Sequence, residues 1–208
     1  MYKAMIVDDH PFIRASVRML LRQEQFEVVA EADNGIDAMR LIREHEPDIA
    51  ILDIAIPRID GLEIITRVKA AQLNIKMLVL TSQAVGYFSL RCMRLGASGF
   101  VSKNDDLSEL RKAALAIMSG YTYFPEISLS SVNRFDCHAT ETQRIEKLTD
   151  RELLILQQLA RGLSNKAIGE AMLLSNKTIS TYKTRLLEKL RVSSQVDLAD
   201  LARRHTLI

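Results

Sequence analysis

Apolar residues are spaced differently in the two parts of this 208-residue chain. In the first part, short unbroken apolar runs alternate with longer segments of helical period. The runs are Ala4 to Val7, Val28 to Ala30, Ile49 to Leu52, Met77 to Leu80 and Gly99 to Val101. A strand that is apolar on both faces suits a parallel sheet covered on both sides. The segments between them, about Pro11 to Glu24, Gly35 to Glu46, Gly61 to Ala71, Gly86 to Leu95 and Leu107 to Ser119, read as helices. Ile13, Val17, Leu20 and Leu21 show why: their spacing of i, i+4, i+7 and i+8 places them on one helical face. Five such repeats predict a doubly wound α/β domain over residues 1–125.

Beyond Pro125 the pattern changes. Residues 126–145 are polar, Ser-rich and weakly periodic, as a linker is. Residues 146–208 carry no proline and read as four short helices. Thr149 and Glu152 match a capping box at the start of the first, and Leu153, Leu156 and Ala160 mark its buried stripe. Ser164 caps a second helix to about Met172, Ser175 a third to about Leu190, and Asp197 to His205 forms the fourth. On the third, Ile179, Tyr182, Leu186, Leu187 and Leu190 face inward, while Lys177, Ser180, Thr181, Thr184 and Glu188 share the opposite face. A short helix, a tight turn at Leu173 to Ser175 and a longer basic helix predict a helix-turn-helix in a small all-α domain.

Composition narrows the setting. With 48% hydrophobic residues the chain is not disordered throughout. It contains no apolar run of the roughly 18 to 20 residues needed to span a bilayer, and its start lacks the pattern of a signal peptide. Cys92 and Cys137 form neither a CxxC pair nor a disulfide framework, so a reduced, cytoplasmic compartment without membrane attachment is expected. The net charge of +2 says little until it is divided: residues 1–125 carry 15 basic and 16 acidic groups, the remainder 13 and 10. Five basic residues against Glu188 fall between Asn176 and Arg191. A solvated helix face has the same density, yet a local positive stripe is what contact with double-stranded DNA requires. Small hydroxyl side chains flanked by cations suit a major groove.

The candidate chemistry of the first domain lies at strand ends. Asp8 and Asp9 follow the first strand, Asp53 ends the third, Thr81 ends the fourth and Lys103 follows the fifth. In a flavodoxin-like sheet of order 2-1-3-4-5, strands one and three are neighbours, so the three carboxylates should converge at the switch point. Taken singly, an Asp after a strand more often caps the next helix, and Thr or Lys there is commonplace. Together, three hard oxygen donors call for Mg²⁺, with Mn²⁺ as substitute, and the hydroxyl and ammonium add donors for a phosphoryl group.

These residues carry a resemblance. Ile6-Val7-Asp8-Asp9-His10, Leu52-Asp53, Pro57-Arg58-Ile59-Asp60-Gly61, Leu80-Thr81 and Gly99-Phe100-Val101-Ser102-Lys103 resemble the receiver domain of two-component response regulators. The resemblance implies that Asp53 is the phosphoacceptor, that Asp9 ligates the metal directly and Asp8 through water, and that the Ala55 carbonyl completes the set. It implies that Thr81 and Lys103 hold the phosphoryl oxygens and that Phe100 is the aromatic that turns inward on activation. Ala55 and Gln83 occupy positions that tune dephosphorylation. Asn104 stands where the family has proline, and Ile56 where it often has Met.

Leu148 to Glu152, Gly162 to Lys166, Ile168-Gly169-Glu170 and Ser175 to Tyr182 look like the LuxR-type DNA-binding domain. The whole is similar to the NarL/FixJ family, and Gly120 to Pro125 with Leu174 to Thr178 is similar to its BvgA/EvgA branch, paired with hybrid sensor kinases. By this resemblance Ser180, Thr181 and Thr184 meet bases, Lys177, Lys183 and Arg185 meet phosphates, and Val196, Leu198 and Leu201 pair two copies on DNA. It implies a transcription regulator rather than an enzyme, with a histidine kinase, DNA, RNA polymerase and a second copy as partners. In the inactive state the receiver is expected to cover the recognition helix. Two other readings use the same residues: an aspartate-based phosphohydrolase, against which stands Ile54-Ala55 after Asp53 in place of DxD, and a regulator with a degenerate receiver that binds DNA without phosphorylation.

Overall fold

A computed structural model describes residues 1–125 and 138–208, with the backbone alone at 86–87 and 138–140. Cys137 and residues 126–137 of the expected linker lie outside the described residues. The chain divides into two compact units, Met1–Pro125 and Glu126–Ile208.

In the first unit the apolar runs become β1 (Lys3–Val7), β2 (Glu27–Ala32), β3 (Ile49–Leu52), β4 (Lys76–Thr81) and β5 (Gly99–Ser102). The helices between and after them are α1 (Pro11–Gln23), α2 (Gly35–His45), α3 (Gly61–Ala70), α4 (Val85–Leu95) and α5 (Leu107–Met118). All neighbouring strands are parallel in the order β2-β1-β3-β4-β5. On one face, Ala4, Ile6, Ile49, Ile51, Leu78 and Leu80 pack against Val17 and Leu21 of α1 and Leu110, Ala113 and Ile117 of α5. α2, α3 and α4 contact one another in turn in the other layer. Val7 pairs with Leu52 and Leu52 with Val79, so the residues leaving β1 and β3 emerge side by side. α3 starts hard against that edge: a Cβ on Gly61 would lie 2.3 Å from the Asp53 carbonyl oxygen, which restricts the position to glycine.

The segment after α5 returns to the sheet. Phe100 donates its N–H to the Tyr123 carbonyl at 2.7 Å and Tyr123 donates to Ser98 at 3.0 Å, an added bridge on the β5 edge. The Tyr123 hydroxyl donates to Glu109 on α5. No cis peptide occurs among the described residues; Asn104 lacks the tertiary amide that lowers the cost of that isomer in proline.

The described second unit contains α6 (His138–Glu146), α7 (Asp150–Ala160), α8 (Asn165–Met172), α9 (Asn176–Leu190) and α10 (Gln195–Arg204). α6 departs from the expectation of linker to residue 145. Among its described side chains it joins the module through one buried apolar group, Ile145, and through polar contacts: Arg144 donates to the Leu190 carbonyl at 3.4 Å, and Glu141 meets Arg204 at 3.1 Å and His205 at 3.0 Å. One apolar anchor leaves no helical period to read. The remaining helices start at their expected caps, Thr149, Ser164 and Ser175, and α10 at Ser194. Thr149 and Glu152 form the capping box. Among the described residues, no helix is long and apolar enough to cross a membrane.

Candidate functional site

The carboxyl edge of the sheet gathers six side chains, those of Asp8, Asp9, His10, Asp53, Thr81 and Lys103. Register alone brings Asp8 beside Asp53, and backbone bonds hold both strand exits: Asp53 N–H donates to the Val7 carbonyl at 2.8 Å and Asp8 N–H to Ala32 at 3.1 Å. Lys103 arrives from β5, its own N–H held by the Thr81 carbonyl at 2.8 Å. Its ammonium lies 2.7 Å from Asp53 Oδ2 and 2.7 Å from Asp8 Oδ2. The other Asp53 oxygen accepts the Ala55 N–H at 3.2 Å. Asp9 and His10 complete the group, and ligand-type atoms of Asp8, Asp9, His10 and Asp53 all lie within 4.8 Å of one another.

Charge is concentrated here in a poorly solvated place, since Asp8, Asp53 and Thr81 are buried. Burial raises the Asp8 carboxyl above its ordinary value; Lys103 pulls against this and Asp53 adds to it. Burial also disfavours the Lys103 charge, but Asp53 and Asp8 outweigh it and the pKa is raised. Asp8 Oδ2 and Asp9 Oδ1 are buried oxygens that lie 2.7 Å from Lys103 Nζ and 2.7 Å from His10 Nδ1 without accepting a well-directed hydrogen bond. All-oxygen carboxylate donors with spare lone pairs are what a hard divalent cation takes.

Thr81 is placed at the same edge, but its hydroxyl turns to its own loop and accepts the Gln83 N–H at 3.4 Å. Gln83 is buried, and its side-chain oxygen accepts no hydrogen bond. Phe100 lies on β5. Its ring is 1% exposed, the inward position that the resemblance gives to the switch aromatic, on the strand tied to Tyr123. His10 carries no role expected from the sequence, although it directly follows Asp9.

In the second unit α9 shows the expected two faces. Ile179, Leu186 and Leu190 are buried, while Lys177, Ser180, Thr181, Thr184 and Arg185 are exposed. The preceding turn is tight because α8 presents Gly169, where a Cβ would lie 2.6 Å from the Leu174 carbonyl oxygen. The Thr181 and Thr184 hydroxyls donate back to the carbonyls of Lys177 and Ser180, at 3.0 and 3.2 Å. Lys183 is turned to α10, donating to Gln195 at 2.7 Å. One expectation changes. Leu198 and Leu201 are both 0% exposed in the module core and cannot form a pairing surface; Val196, at 70%, remains available on α10. Helical period marks an apolar stripe without saying whether its own module or a second copy covers it.

Residues 4–115 match the response regulator receiver domain and residues 146–202 the luxR family of bacterial regulatory proteins. The chain is 50% identical over 205 residues to the virulence-factor transcription regulator BvgA of Bordetella pertussis, covering 99% of this chain and 98% of that one. It is 34% identical to the DNA-binding transcriptional activator EvgA of Escherichia coli K12, covering 98% of each. Among solved structures it is similar to Salmonella RcsB bound to promoter rprA with the phosphomimetic BeF3⁻, at 25% identity and a TM-score of 0.57, covering 97% of this chain and 98% of that one. A (βα)5 receiver followed by a LuxR-type helical domain, with full-length relatives of the same construction, makes this chain a two-component response regulator of the receiver–LuxR family, a transcription regulator and not an enzyme.

Proposed function

We propose that Asp53 accepts a phosphoryl group from a sensor histidine kinase, of the hybrid type by likeness to the BvgA/EvgA branch, and that the modified chain binds DNA as a dimer. The observation that carries the reading is the Lys103 ammonium shared between Asp8 and Asp53, 2.7 Å from each, on the carboxyl edge of the sheet. An Asp53 oxygen attacks the phosphorus of the donor's phosphohistidine; the O–P bond forms as the N–P bond breaks, and the imidazole leaves and regains its proton. Lys103 then exchanges one carboxylate partner for a phosphoryl oxygen, and Thr81 offers its hydroxyl to another. Asp8, Asp9, Asp53 and the Ala55 carbonyl would hold Mg²⁺, or Mn²⁺ in its place, which supplies positive charge against the entering oxygens.

In the second unit, Lys177 and Arg185 serve phosphates, and Ser180, Thr181 and Thr184 serve base edges. Lys183, which gives one N–H to Gln195, has two further donors for a phosphate. Val196 marks the pairing surface, and RNA polymerase is the downstream partner. This chemistry belongs in the cytoplasm, where the kinase's phosphoryl group and the DNA are both found. The domain limits we assign are 1–125 for the receiver, a connecting segment that ends before α6, and a helical module that includes it. Incubation of the full-length protein with a small phosphodonor and Mg²⁺ should raise its mass by one phosphoryl group, and Asp53→Asn should abolish the gain. A wild type that gains no mass yet binds its DNA unchanged points instead to a regulator independent of phosphorylation.

A further inference from the structure

We propose that His10 is itself a ligand of the cation in the receiver pocket, and that its imidazole nitrogen makes the pocket favour first-row transition ions over Mg²⁺. This rests on the reading of Asp8, Asp9 and Asp53 as a cation site and adds a donor of a different chemical kind.

His10 occupies the N-cap of α1, where a side chain ordinarily bonds to the helix, yet its ring makes no capping bond. Nor does it fill the core: the side chain is 66% exposed. It is drawn to the carboxylates instead. Its N–H donates to Asp8 Oδ1 at 2.9 Å, which ties the backbone of His10 to the pocket, and Pro11 holds the next residue at the first helical position. Nδ1 then sits 2.7 Å from Asp9 Oδ1 and 3.4 Å from Asp8 Oδ1. Although so close, Asp9 Oδ1 accepts no hydrogen bond of acceptable direction. An imidazole that neither caps, packs nor donates squarely to its neighbour is placed as a ligand is placed. Adjacent ligands of an octahedral ion with bonds of about 2.1 Å lie about 3 Å apart, and the two Nδ1–oxygen separations bracket that spacing. Ligation through Nδ1 leaves the proton on Nε2, on the exposed side of the ring.

The consequence is selectivity. Carboxylate oxygens serve Mg²⁺ and Mn²⁺ alike, but imidazole nitrogen adds little for Mg²⁺ and progressively more from Mn²⁺ through Co²⁺ to Ni²⁺. The receiver would therefore fill with a transition ion at concentrations where Mg²⁺ is in large excess.

Two measurements on the full-length protein test this. Pulsed electron paramagnetic resonance of the Mn²⁺-loaded wild type should show nitrogen modulation that changes isotope signature when histidine is ¹⁵N-labelled, and His10→Gln should lose it. Calorimetric titration should show the Ni²⁺-to-Mg²⁺ affinity ratio falling about 10-fold or more in His10→Gln, at least what an outer-shell partner is worth. Mn²⁺ that binds without imidazole modulation, or an unchanged ratio, overturns the ligand assignment and leaves the oxygen pocket standing. If the wild type binds no cation, or Asp9→Asn binds as well as wild type, the pocket reading fails and His10 with it.

Discussion

Lys103 shows how much one side chain can decide. It is the cation between two buried carboxylates, and each is close enough that its removal leaves a charge without compensation. Lys103→Met should destabilise the receiver by about 3 kcal/mol, the lower end for breaking a buried pair. Mg²⁺ should restore part of that loss, which urea unfolding with and without the ion would measure. Equal loss in both conditions would count against a cation between the carboxylates. Thr181 carries the corresponding argument in α9. Its hydroxyl hydrogen is used inside the helix, so toward a base it presents a methyl group and an acceptor lone pair. Thr181→Ala should change relative affinity among sites by about 1 kcal/mol at one base pair, as competition binding over a site library would show; uniform weakening would remove it from base readout. Asp8, Asp9, Asp53, Thr81 and Lys103 were legible as strand-end residues. The place of His10 and the bond from Lys183 to Gln195 were not, because side-chain direction depends on neighbours distant in sequence.

At the scale of elements, the helical module is fastened at its caps. Glu152 closes the capping box on Thr149 and also receives Lys189 of α9, at 2.7 and 2.8 Å, so one carboxylate joins the start of α7 to the recognition helix. Burial alone would raise its pKa, but the bonds from Lys189 and Thr149 outweigh this and hold it below the ordinary 4.5. A carboxyl depressed in the folded state contributes stability above its unfolded pKa, and that contribution is lost as pH falls through the folded value. The module's unfolding transition should therefore move to lower temperature in acid below about pH 4.5, the unfolded carboxylate range. Glu152→Gln should flatten that dependence and cost about 1 kcal/mol at neutral pH, as loss of a good cap does. An unaltered acid slope in the variant would assign the dependence to other carboxylates. The major elements of both units were legible from period and caps. α6 was not, since it is attached by the single buried Ile145 and by Arg144 and Glu141, whose partners lie more than 40 positions away.

For the whole molecule, the net charge of +2 resolves into an acidic-pocket receiver and a basic module. Lys183 donates to Gln195 and the exposed Lys189 to Glu152, while Lys177 and Arg185 lie exposed on α9. Lys177→Ala should lower the slope of log affinity against log salt by about 0.9 per site, the release expected for one phosphate contact. Lys189→Ala should leave the slope unchanged and lower thermal stability. Phosphodonor treatment should raise the affinity of the full chain for its DNA, and Asp53→Asn should bind like the untreated wild type in either condition. A rise in the variant would separate DNA binding from Asp53.

By itself the sequence determined the two-part construction, the (βα)5 order, the strand-end carboxylates and the amphipathic recognition helix. These follow from local rules: period, caps and the placing of polar residues at the ends of apolar runs. Tertiary structure decided which of those residues share a pocket and which apolar stripes are already covered. Strand register brought Lys103 onto Asp8 and Asp53 across 95 and 50 positions, and core packing took Leu198 and Leu201 out of any pairing surface. Spacing along a chain specifies the face of an element, whereas contact requires knowing what that face meets.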